Sequence, residues 1–154
     1  MSPSPPGSES IHANALLLGD TGVLIRGDSG SGKSALSMEL IALSRLRGGF
    51  AGLIADDRVL VESCGGRLLA RPHPQIAGMI EARGMGVLPT PFEPCGVIHA
   101  LVDLTTAALL ARIPEDEAST ATLLDIVLPR RCVAIENTRA AIMIIDFIQR
   151  LNQI

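Results

Sequence analysis

Eight consecutive residues carry the strongest chemical signal in the chain: Gly27-Asp28-Ser29-Gly30-Ser31-Gly32-Lys33-Ser34. Two glycines with four free positions between them, then lysine and a hydroxyl residue, make a phosphate-binding loop. Glycine lets the backbone turn sharply and aim its N–H groups at phosphate oxygens, and a helix starting at the loop adds the positive end of its dipole. Lys33 is placed to reach the outer phosphates of a nucleotide, and the Ser34 hydroxyl to hold Mg²⁺. At average residue usage, a chain this long matches the pattern by accident well under about 1% of the time. Lys33 is also the sole lysine, a compact point charge kept where a phosphate suits it.

A second signal is Asp56-Asp57, at the end of the short apolar run Phe50-Ala51-Gly52-Leu53-Ile54-Ala55. Phosphate-loop proteins commonly set an acidic residue at the end of a neighbouring buried strand, where it serves Mg²⁺. Two adjacent carboxylates are costly unless a cation or a base role uses them. With one on the metal, the other is free to accept a proton from an attacking hydroxyl or water. Asp103 ends another apolar run, Ile98-His99-Ala100-Leu101-Val102, and is a weaker candidate whose alternative is an ordinary polar strand end.

These residues need elements to position them. Ile11 to Leu18 and Val23 to Arg26 flank a Gly19-Asp20-Thr21-Gly22 turn and predict a hairpin that delivers the chain to the loop. The helix after it should run from about Lys33 to Arg47, burying Leu36, Leu40, Leu43 and Leu46, with Gly48-Gly49 ending it. Phe50 to Ala55 reads as a strand buried in a parallel sheet. Val59 to Glu62 and Arg67 to Ala70 predict a second hairpin about Gly65-Gly66. A short helix near Ile76 to Ala82 follows, then a loop at Arg83-Gly84-Met85-Gly86 and an irregular stretch holding Pro89, Pro91 and Pro94. Val97 to Leu104, Leu123 to Val127 and Cys132 to Ile135 are strand candidates, and 112–118 is a mobile loop. A final amphipathic helix, capped by Asn137 or Thr138, should run to about Arg150 and bury Ala140, Ile144, Phe147, Ile148 and Leu151.

Composition bounds the rest. The 154 residues suit one domain, expected over residues 10–154 behind a flexible polar tail at 1–9. Tryptophan and tyrosine are absent and only three phenylalanines occur, which argues against base stacking. The net charge of −3 and the lack of a basic run show no electrostatic footprint for nucleic acid or an anionic membrane. Apolar stretches fall far short of the roughly 20 residues that span a bilayer. Cys64, Cys95 and Cys132 lack metal-site spacing, and an odd count without a signal peptide reads as reduced thiols in a cytoplasmic protein.

Three motifs in this order resemble the catalytic domain of HPr kinase/phosphorylase: the phosphate loop, Ile54-Ala55-Asp56-Asp57-Arg58-Val59, and Ile80-Glu81-Ala82-Arg83-Gly84-Met85-Gly86. His12, fifteen residues before Gly27, also falls where that family has a histidine. The resemblance covers Ile11 to about Val87 well and the remainder loosely. It implies a phosphoenolpyruvate carboxykinase-like α/β fold with a mixed sheet and flanking helices, assembled as a homohexamer. It also implies a kinase that uses ATP and Mg²⁺ to phosphorylate a serine of HPr, the small phosphocarrier of bacterial phosphotransferase systems. The family can reverse this reaction with inorganic phosphate. Carried onto this sequence, Asp56 is the general base, with His12 tuning its protonation. Asp57 and Glu81 work with Ser34 around the metal, Arg83 faces phosphates or substrate, and Arg139 stands for the family's C-terminal basic loop. The family usually has Glu after the loop serine; this chain has Ala35. The family's longer members carry an extra N-terminal domain, and the chain reads as the short, single-domain form. A small-molecule kinase and a nucleotide-sensing module without turnover remain the alternatives.

Overall fold

The computed structural model describes residues 7–82, 84–114 and 119–153. In chain order these form β1 (Ser8–Ile11), β2 (Ala13–Leu18), β3 (Thr21–Arg26), α1 (Lys33–Leu46), β4 (Ala51–Ala55), β5 (Val59–Cys64) and β6 (Arg67–Pro72). There follow β7 (Met79–Ala82), β8 (Gly86–Pro89), β9 (Gly96–Thr105), the single turn α2 (Ala107–Leu110), β10 (Thr120–Leu123), β11 (Ile126–Ala134) and α3 (Ala140–Leu151). The main sheet has the order β1-β5-β6-β9-β3-β2-β4; β11 joins β9, β10 pairs with β11, and β7-β8 form a separate ribbon. β9 is parallel to β3 and β11, while the outer pairings are antiparallel. This is the mixed sheet with flanking helices that the motifs implied.

Alternation along the strands divides the core in two. Leu16, Val23, Ile25, Val102 and Val133 pack with α1 and α3 through Leu36, Leu40, Ile144 and Ile148. On the other face Ala15, Leu24, Val61, Leu68, Leu101 and Leu128 form a second cluster, closed by the curl of the sheet itself. β3 and β9 approach so closely that a Cβ on Gly22 would lie 2.0 Å from the Val97 carbonyl oxygen. The register shifts there, and His99 Nδ1 accepts the Gly22 N–H at 3.2 Å.

Several expectations need correction. Ser8 and Glu9, expected in a polar tail, pair with Glu62 and Val61 in β5. β4 is fully buried but antiparallel to β2 at the sheet edge. It is covered there because Leu53 bridges Phe92 and its carbonyl accepts the Glu93 N–H at 2.7 Å. The helix expected near 76–82 is instead a turn and β7. Gly78 adopts a left-handed φ of 74°, after which Ile80 and Ala82 alternate inward with period two. Leu46 is 83% exposed: at about 100° per residue it stands about 80° round the helix from Leu36 and falls off the buried stripe. The strand expected over 123–127 is split by a two-residue turn at Leu124-Asp125, both with positive φ and with no glycine to announce it. Arg139, not Asn137 or Thr138, holds the cap position of α3, and it makes no side-chain cap. Part of the expected mobile loop, 115–118, lies outside the described residues.

Candidate active site

The phosphate loop forms because β3, buried on both faces, ends at Arg26 and α1 starts at Lys33, leaving six residues to turn the chain. Gly27 lies close against its neighbours: a Cβ there would lie 2.6 Å from Ser31 Oγ and 3.1 Å from Leu104 Cβ, so a side chain would displace the serine hydroxyl. Gly32 caps α1 in the left-handed region at φ 96°, supplies no side-chain cap, and is followed by no acidic residue in the first turn. The first N–H groups of α1 and its dipole are thus uncompensated, the arrangement that favours an anion. Ala35, exposed in that turn, is part of the reason. Ser31 Oγ is buried under the loop without a hydrogen-bond partner. Lys33, 5% exposed, folds its ammonium back onto the Gly27 and Asp28 carbonyls at 2.8 and 3.2 Å.

Asp56 sits at the foot of this loop, 6% exposed. Its Oδ1 accepts hydrogen bonds from the Ser34 hydroxyl and, at 2.9 Å, from Asn14 Nδ2; its Oδ2 accepts the Glu81 N–H at 2.9 Å. Asp56 reaches this place because β2 and β4 pair with an irregular register at Ala15/Leu16, a device that redirects strand ends beside active sites. Asp57 follows in the left-handed region at φ 66°. Its N–H goes to Asn14 Oδ1 at 2.8 Å and its carboxylate to His12 Nε2. The implied histidine therefore pairs with Asp57 and not with Asp56, because β1 and β2 present it on the solvent side of the strand end.

A cavity of about 530 Å³ opens over the loop, lined by Gly30, Lys33, Ser34, Asp57, Glu81 and Met85 among others, with Asp56 beneath its wall behind Ser34 and Glu81. A larger one of about 700 Å³, among Leu17, Arg67, His99 and Pro129, holds none of the expected site residues. The orphaned Ser31 hydroxyl, the uncapped helix and the part-buried Ser34–Asp56 contact fit a nucleotide's phosphates with Mg²⁺. Among the described residues no three His, Cys, Asp or Glu side chains cluster as a metal cage. That suits Mg²⁺, which takes one or two protein ligands and fills its shell with phosphate and water.

Other candidates resolve differently. Asp103 is bound by two arginines: Arg26 donates at 2.7 and 2.9 Å, and Arg130 Nε lies at 2.6 Å. The hydrogen bonds that Arg26 donates to Asp103 hold the guanidinium's pKa above its ordinary value, and with both arginines on it Asp103 is a structural counter-ion. Arg139 is exposed at the head of α3, its N–H taken by Asn137 Oδ1 at 2.8 Å, and among the described residues no ion pair joins it to the phosphate loop. Arg83 lies outside the described residues. Sequence reasoning missed Asn14 and Ser37, both fully buried. The available signal was a lone amide inside the apolar run Ala13 to Leu18, and a serine one turn after Lys33.

Fold and site together define a phosphate-loop α/β domain of the phosphoenolpyruvate carboxykinase-like type. The structure superposes with a TM-score of 0.73 on the HPr(Ser) kinase/phosphatase from Coxiella burnetii, with 27% identity over 94% of this chain and 98% of that one. The family described as the HPr Serine kinase C-terminal domain matches residues 6–92. The chain belongs to that family. An HPr kinase/phosphorylase of Limosilactobacillus reuteri is 31% identical over 149 residues, 90% of this chain and 44% of the relative. One of Mycoplasma mycoides is 38% identical over 84 residues, 54% of this chain and 24% of the relative. The chain thus spans less than half the length of these curated relatives.

Proposed function

We propose that this domain is an ATP- and Mg²⁺-dependent serine kinase acting on an HPr-like phosphocarrier protein in the cytoplasm. The observation that carries the reading is Asp56: a nearly buried carboxylate held by Ser34 and Glu81 at the foot of an uncapped phosphate loop. Transfer passes through a loose transition state, so the protein's work is alignment and charge compensation. The acceptor serine's Oγ–H proton passes to Asp56 as its oxygen bonds the γ-phosphorus and the bond to the β-phosphate oxygen breaks, releasing ADP. Loop N–H groups and Lys33, freed from the Gly27 and Asp28 carbonyls, take the phosphate charge. Ser34, with Asp57 and Glu81 on the cavity wall, would hold Mg²⁺, which would supply charge neutralisation for the phosphates. His12 steadies Asp57, while Arg83 and Arg139 stand as the arginines for phosphate and substrate. In the reverse direction inorganic phosphate attacks the phosphoserine, giving serine and pyrophosphate, with Asp56 returning the proton. Assembly as a homohexamer belongs to the same reading; the exposed apolar Leu109, Ile135 and Ile142 would gain cover from it.

The test is γ-labelled ATP with HPr-like carriers, using wild type, Lys33→Ala and Asp56→Asn. Label on carrier serine that both substitutions abolish supports the reading. A labelled metabolite with an unlabelled carrier makes this a small-molecule kinase; nucleotide binding without turnover makes it a sensor.

A further inference from the structure

Asn14 touches three elements at once. Ser37 Oγ donates its hydrogen to the Lys33 carbonyl at 2.7 Å. Toward Asn14 it can therefore only accept, so the group facing it at 2.9 Å is the amide NH₂. The second hydrogen of that NH₂ goes to Asp56 Oδ1, and the amide oxygen takes the Asp57 N–H. The orientation of the side chain is fixed by its neighbours without ambiguity. A fully buried amide in an apolar strand is costly unless its hydrogen bonds are made, and here both donors and the acceptor are used.

The same bonds constrain Asp56. A carboxylate offers about four acceptor positions. Oδ1 is filled by Asn14 and Ser34, and Oδ2 accepts Glu81 N–H, so the open position is on Oδ2. We infer that Asn14 is a positioning residue that locks the Asp56 carboxylate so that Oδ2 is the atom receiving the acceptor's proton. The same amide pins the Asp57 N–H and so holds that residue's left-handed backbone, which keeps its side chain on His12. The inference rests on the reading of Asp56 as the base.

Asn14→Asp tests it, because the substitution preserves volume and the acceptor for Asp57 N–H but turns an oxygen toward Asp56 Oδ1. A misplaced base loses on the order of 100-fold in kcat, while the KM for ATP, set at the loop, should change by less than about threefold. Asn14→Ala, which keeps no like charge there, should lose less, about tenfold. A merely space-filling role gives the opposite order, since Ala opens a cavity and Asp does not. If Asn14→Asp fails to fold, Asn14→Ala decides: a kcat loss at unchanged ATP KM supports the inference, and an unchanged kcat overturns it. Asp56→Asn runs in parallel. If it is inactive while both Asn14 variants turn over at the wild-type rate, the role of Asn14 alone falls. If Asp56→Asn keeps wild-type turnover, the base reading falls and the inference with it.

Discussion

Replacing Asp103 by alanine should weaken the fold and spare the chemistry. The carboxylate is 15% exposed and serves two guanidiniums, those of Arg26 and Arg130, which are 33% and 22% exposed. A hydrogen bond to a charged group contributes about 1.5–3 kcal/mol when hidden, and partial access of water takes the lower end, about 1.5 kcal/mol, for Arg26; breaking the part-buried ion pair with Arg130 costs about as much again, discounted likewise for water. The loss is about 3 kcal/mol. For a domain of this size that lowers Tm by about 6–12 °C. Calorimetry or far-UV circular dichroism is the measurement, since the chain has no tryptophan or tyrosine to follow. Phosphoryl transfer at 20 °C, well below the melt, should stay within about threefold, because among the described residues Asp103 bonds Arg26 and Arg130 and not the phosphate loop. A Tm within 1 °C of wild type refutes the clamp. A 100-fold fall in transfer by well-folded protein would return Asp103 to the catalytic residues.

Gly22→Ala drives a Cβ to 2.0 Å from a backbone oxygen of the neighbouring central strand; it should cost more than about 4 kcal/mol and leave little folded protein on expression. Lys33→Ala should abolish measurable ATP binding in calorimetric titration while the apo fold persists, since among the described residues its amine bonds the loop carbonyls of Gly27 and Asp28. Burial pushes the Cys132 thiol above its ordinary value, so mass spectrometry after brief alkylation of folded protein should find Cys64 and Cys95 modified and Cys132 untouched. Because the folded-state value is the higher one, Cys132's contribution is present below the ordinary thiol value and is lost as pH climbs from there through the raised folded value, seen as a falling Tm above about pH 9. Leu46→Lys should change stability by less than about 0.5 kcal/mol in urea titration, its side chain being in water already.

The phosphate loop, the helix behind it, the β2-β3 and β5-β6 hairpins and the place of Asp56 at the end of a buried strand were legible in the sequence. Each depends on glycine backbone freedom or on periodicity within about fifteen residues, and neighbours in the chain enforce both. The β7 strand, the Leu124-Asp125 turn and the exposure of Leu46 were not. In each, a contact distant in sequence, such as Phe92 against Gly78, or its absence, overrode a plausible local pattern.

The division is sharpest at the site. Composition and spacing alone determined that a phosphate-loop pattern would lie between Gly27 and Ser34, because that cradle is main-chain geometry over eight residues. Only the tertiary structure decided how Asp56 is held. Asn14 lies 42 residues before it and Ser34 lies 22 before it, and they meet through the pairing of β2 with β4 and the packing of α1 on both. Likewise Asp103, a possible acid in the sequence, became a counter-ion once β3 and β11 set Arg26 and Arg130 on either side of it. A side chain's chemistry is set by the charges and donors within a few ångströms, and in a sheet those neighbours come from other strands.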